Sequence, residues 1–117
     1  MIQPTVGRKV WYRPSKQDQA GPIPMMAAGG NGEVQPMDAT VIAVWGDRCV
    51  NLLVIDSMSK QFPVLSCQLL QDDDQPVRDV DGNVVGRYAE WMPYQTGQAR
   101  RDAERDAKPA EAQAAKV

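Results

Sequence analysis

Arg8, Trp11, Trp45, Arg48, Trp91 and Tyr94 are the residues of this chain best suited to recognition chemistry. A guanidinium pairs with anions and stacks on rings, while an indole or phenol ring covers a planar ligand or anchors a protein partner. The stretch YAEWMPYQ, residues 88–95, is the densest such place, with Tyr88, Trp91 and Tyr94 at a spacing of three and Pro93 before the last. On a strand Tyr88 and Trp91 face opposite ways, and Pro93 interrupts a continuous run. One of Tyr88 and Trp91 is therefore expected to plug a core. Tyr94, sent off by the proline, belongs to a surface that a ligand or partner covers.

Bond-making chemistry has far less to stand on. The sequence contains no histidine, so general base work would fall to a carboxylate, lysine or tyrosine moved by burial. Asp38, Asp47, Asp56, Glu90 and the Asp72–Asp74 run all sit beside expected turns or strand edges, where water keeps carboxylates ordinary. Ser57, Ser59 and Ser66 lack the glycine-flanked elbow of a serine nucleophile. GGNG at 29–32 lacks the Lys-Ser/Thr that completes a phosphate loop. A non-enzymatic protein without a cofactor is expected.

Asp79, Asp81, Asn83 and Glu90 fall at positions one, three, five and twelve of a twelve-residue calcium loop. Position six, which needs glycine, is Val84, and an Asp-Gly hairpin accounts for the same residues, so no metal is expected. Cys49 and Cys67 have neither a CxxC pattern nor a histidine to complete a zinc site, and read as free thiols in a reducing compartment.

Period-two patterning runs through the first two thirds of the chain. Residues 7–12 read as a first strand, and 37–45, 49–56 and 61–70 as an antiparallel meander with turns at Gly46–Arg48 and 56–60. Pro63 requires an edge or a bulge because it has no N–H. Val41, Ile42, Val44, Leu52, Val54, Val64 and Leu65 are the expected core. A second hairpin over 77–91 turns at Asp81–Asn83. These elements predict an all-β, SH3-like barrel of five or six antiparallel strands, with OB-like closure as the alternative. The barrel domain spans 1–96, its segment 13–36, rich in proline and glycine, reading as a mobile loop. Residues 97–117 form a charged, alanine-rich tail, helical or disordered.

Net charge is −2, and residues 71–96 alone carry six acidic against two basic side chains, so no basic stripe exists for a phosphate backbone and nucleic acid is disfavoured. No apolar run approaches the length of a membrane span. A foldable part this small gains from self-association, so a homo-oligomer is expected.

Motifs along the chain carry a resemblance: PTVGR (4–8) followed by Trp11 and Tyr12, then AxVxxVWxDRxxNLxVxD (Ala39 to Asp56), LLQDDD (69–74) and AEWMPYQxGQA (89–99). In these the chain resembles a group of small tailed-phage and prophage accessory proteins. That resemblance implies a virus-encoded protein with an SH3-like barrel, made in the host cytoplasm. It would act on a host protein or sequester a small, nucleotide-like signalling molecule in antagonism of host defence, with a virion-associated assembly role as the alternative.

Overall fold

The computed structural model describes residues 1–27, 29 and 35–107. In chain order the elements are β1 (Lys9–Arg13), α1 (Lys16–Ala20), β2 (Met37–Gly46), β3 (Cys49–Ile55), β4 (Gln61–Leu70), β5 (Tyr88–Glu90) and α2 (Pro93–Ala107). The five strands close into a barrel in the order β1-β2-β3-β4-β5. Apart from β5 and β1, whose pairing closes the ring, every neighbour in the ring is also a neighbour in sequence, which an OB Greek key does not allow. The small all-β barrel is thus a ring of sequential strands.

Four of the five pairings are antiparallel, as expected, but β4 and β5 run parallel, with Leu69 opposite Ala89 and Leu70 opposite Glu90. The expectation of a purely antiparallel barrel is corrected here. The connection from residue 71 to 87 carries the chain from one end of the barrel to the other, and a crossover of that length is what a parallel pair requires. Within it the expected 77–91 hairpin shrinks to a single bridge, Arg78 to Val84, around the turn at Gly82.

Alternation in β3 places Val50, Leu52 and Val54 inside, where they meet Val41, Val64, Tyr12 and Leu69. Ile42 and Leu65, expected in the core, face solvent at 45 % and 60 % exposure. Each directly follows a buried residue, Val41 or Val64, so the pleat turns it outward. The pairing also shifts between Val41 and Ala43 and between Val50 and Leu52, and Ser66 adopts φ 49°. Such bulges re-aim the residues around them. Val44 is partly buried against the core. Pro63 lies opposite Leu53 of β3, in the part of β4 that β5 does not reach, so its missing N–H faces no partner strand.

The segment expected as a mobile loop holds structure in its described residues. Ser15 and Asp18 form a reciprocal capping box that opens α1. The Tyr12 hydroxyl donates to Asp18 at 2.5 Å, fixing that helix to the barrel, and Met25 is buried. Asp56 closes the same end: its carboxylate accepts the N–H groups of Met26, Lys60 and Met58. Burial works against the charge on Asp56, but those three donors and Lys60 outweigh it and hold the carboxyl below its usual range.

The proline expected to interrupt the aromatic run instead opens α2. Its fixed φ suits the first helical position, where its missing N–H costs nothing. Gln95, at the third position, reaches back to accept the Met92 N–H at 2.7 Å. The expected boundary at residue 96 therefore falls inside a helix, and the expected tail is helical through Ala107. No helix among the described residues is long and apolar enough to cross a membrane.

Candidate ligand-binding site

Gln71 organises the barrel end at which β4 and β5 finish. It is 2 % exposed, and its amide meets four partners. Oε1 accepts from the Trp91 indole at 3.0 Å and the Ile2 N–H at 3.1 Å, while Nε2 donates to the carbonyls of Ile2 at 2.7 Å and Asp47 at 2.9 Å. Both lone pairs and both hydrogens are thereby used, which makes burial of the amide tolerable. Trp91, 6 % exposed, is fixed in place, and of the two candidates for the core plug it is the deeper, Tyr88 being half-buried.

Arg8 reaches this plug through a local turn. Gly7 takes φ 92°, donates to the Val41 carbonyl at 2.7 Å, and the Arg8 carbonyl then accepts the Val41 N–H. A side chain at position 7 would be strained in that conformation. The Arg8 guanidinium comes to lie 5.4 Å from the centre of the Trp91 ring. Of its N–H groups, the one bonded among the described residues meets the Gln3 carbonyl at 3.3 Å.

Tyr94, 67 % exposed, stands on the first turn of α2. Gln95 donates to the Lys9 carbonyl at 2.8 Å and so holds that turn against β1. Between them runs a groove of about 360 Å³ lined by Gly7, Arg8, Lys9, Tyr94, Gln98 and Asp102. Most of its charges are already engaged: Lys9 pairs with Asp38 at 3.1 Å, and Asp102 with Arg105 at 3.0 Å. The Arg8 guanidinium and the Tyr94 ring remain as the groups able to meet a ligand.

Of the six residues singled out by type, the structure therefore brings Arg8, Trp91 and Tyr94 together and leaves three elsewhere. Trp11 stacks with Arg13 at 5.7 Å on the barrel wall, where Arg13 also pairs with Glu90 at 2.9 Å. Trp45 lies on the outer face, its indole donating to Asn51 at 2.9 Å. Arg48 pairs with Asp74 at 2.7 Å. That bond, with the Gln71 N–H as second donor, holds the Asp74 carboxyl below its usual range, and it raises Arg48 in turn. Glu90 is committed to Arg13, and the Oδ1 of Asp79 accepts the N–H groups of Asp81 and Asn83, as a tight turn requires.

The chemistry open to the buried groups is limited. Burial pushes the Cys67 thiol up to about 11, so at neutral pH it is protonated and a poor nucleophile. Tyr12 is raised by burial and by its bond to Asp18. Most of the GGNG stretch and the tail beyond residue 107 lie outside the described residues. Gln71 and Gln95 escape a reading by residue type, since nothing local marks a glutamine as buried. The one available signal is that a plugging indole needs an acceptor. No protein-family model, no curated protein and no solved structure matches the chain.

Proposed function

We propose that the protein is a non-enzymatic binding protein that captures a small ligand bearing a flat ring and an anionic group, nucleotide-like in its chemistry, in the groove between Arg8 and Tyr94. The observation that carries this reading is the Arg8 guanidinium, stacked on the buried Trp91 ring and lining one groove with the exposed Tyr94. The ring beneath holds the cation in place, leaving N–H groups for a phosphate or carboxylate. Tyr94 supplies a stacking face, and the groove volume of about 360 Å³ suits a small molecule. In the phage setting that the motifs suggest, such a protein works in the host cytoplasm as a sponge for a signalling nucleotide, in antagonism of host defence.

Calorimetric titration with a panel of cyclic mono- and oligonucleotides tests this. Saturable binding is expected, weakened by about 1–3 kcal/mol in Tyr94→Ala and Arg8→Ala with little change in melting temperature. Absence of binding across the panel, or binding unchanged in both variants, would overturn the reading. If Tyr94→Ala alters only the oligomeric state, the ring belongs to a subunit interface and the ligand reading fails.

A further inference from the structure

We propose a second binding site at the opposite end of the barrel, for a zwitterionic α-amino acid with an apolar side chain, free or at the end of a dipeptide. The cavity lies between α1 and the 79–87 segment, measures about 460 Å³, and is lined by Lys16, Asp18, Asp79, Val84, Val85 and Arg87 among others. It is separate from the Arg8 groove and does not rest on that assignment.

Its two carboxylates are each fixed through one oxygen. Asp18 Oδ2 accepts from the Tyr12 hydroxyl at 2.5 Å and the Ser15 N–H at 3.0 Å. Asp79 Oδ1 accepts the N–H groups of Asp81 at 2.9 Å and Asn83 at 3.0 Å. In both residues the second oxygen has no partner among the described residues. The cations are similarly uncommitted: Arg87 gives one N–H to the Leu65 carbonyl at 2.9 Å, and Lys16 has no acceptor among the described residues. The two carboxylates, held in this way, bind without the cost of being ordered.

Charge selects the ligand class. A simple anion would meet Asp18 and Asp79, and a simple cation would meet Lys16 and Arg87, so each would gain from one pair and be repelled by the other. A molecule carrying both charges a few bonds apart satisfies the two pairs together, its carboxylate on Arg87 and Lys16 and its ammonium on Asp18 and Asp79. Val84 and Val85, both partly exposed, offer an apolar wall to the side chain.

The test is calorimetric titration of the full chain with L-leucine and with the dipeptide Leu-Leu. Leucinamide, which lacks the carboxylate, and 4-methylpentanoate, which lacks the amine, are the controls. Saturable binding of leucine or the dipeptide is expected, with both controls weaker by about tenfold or more. Arg87→Gln, Lys16→Gln and Asp79→Asn should each weaken binding by about tenfold, Asp79→Asn keeping the oxygen its turn needs. Circular dichroism checks that each variant is folded, and Tyr94→Ala should bind leucine normally. No saturable heat with either ligand up to about 10 mM would overturn the proposal, as would controls that bind equally well or folded variants that bind unchanged.

Discussion

Replacing Gln71 by leucine keeps most of the side-chain volume and removes four hydrogen bonds at once. Of the two abandoned carbonyls, that of Asp47 lies at an exposed turn where water can reach it, while that of Ile2 is buried but keeps a second lone pair whose loss costs less than that of a donor. The Trp91 indole N–H and the Ile2 N–H belong to residues 6 % and 9 % exposed, so they are left without an acceptor. At about 1–3 kcal/mol for each of the two orphaned donors, the substitution should cost about 2–6 kcal/mol. With a slope of about 1.2 kcal/mol per M, the urea midpoint should fall by about 2–5 M, a large part of a stability of about 5–10 kcal/mol. Trp91→Phe removes one of those donors, so Gln71→Leu should cost about 1–3 kcal/mol less in that background. A cost below about 0.5 kcal/mol, or strict additivity of the two substitutions, would refute the view that this amide holds the plug.

Leu52 is fully buried and Leu65 60 % exposed, so Leu52→Ala should lose about 2–5 kcal/mol in chemical denaturation while Leu65→Ala stays within about 0.5 kcal/mol. Stability should also fall in alkali. The Cys67 thiol is raised to about 11 in the fold, so its contribution is whole below its unfolded value of about 8.5 and is lost as pH climbs through 11. Cys67→Ala should flatten that limb of a melting-temperature profile, and an unchanged slope would count against the burial argument. In acid the sign reverses. Asp56 and Asp74 are held low in the fold, so what they contribute is complete above their unfolded value of about 3.9 and disappears as pH drops through the lower folded values. Asp56→Asn should reduce the acid dependence of the melting temperature.

Local pattern was enough for the β2–β3–β4 meander, whose strands at 37–46, 49–55 and 61–70 stand within a residue of the period-two segments and their turns. It was enough for the barrel class too, because short strands without a central helix have few other ways to bury one face. The Ser15–Asp18 cap was also written in the chain, as the S-x-x-D spacing that opens a helix, although the surrounding prolines and glycines conceal it. Tertiary structure decided the rest. Period two says that neighbours face opposite ways, but which of them faces inward depends on bulges set by strand pairing, and so Ile42 and Leu65 lie outside. The parallel closure by β5 depends on a crossover whose path no local spacing encodes. The site shows the same division. Residue type marked Arg8, Trp91 and Tyr94 as able to bind, while their convergence, and the separation of Trp11, Trp45 and Arg48 from them, required the barrel to bring residues more than 80 positions apart to one end. Gln71 is the clearest case, since a glutamine becomes a buried hub only when an indole, an end segment and a turn, all distant in sequence, supply its four partners together.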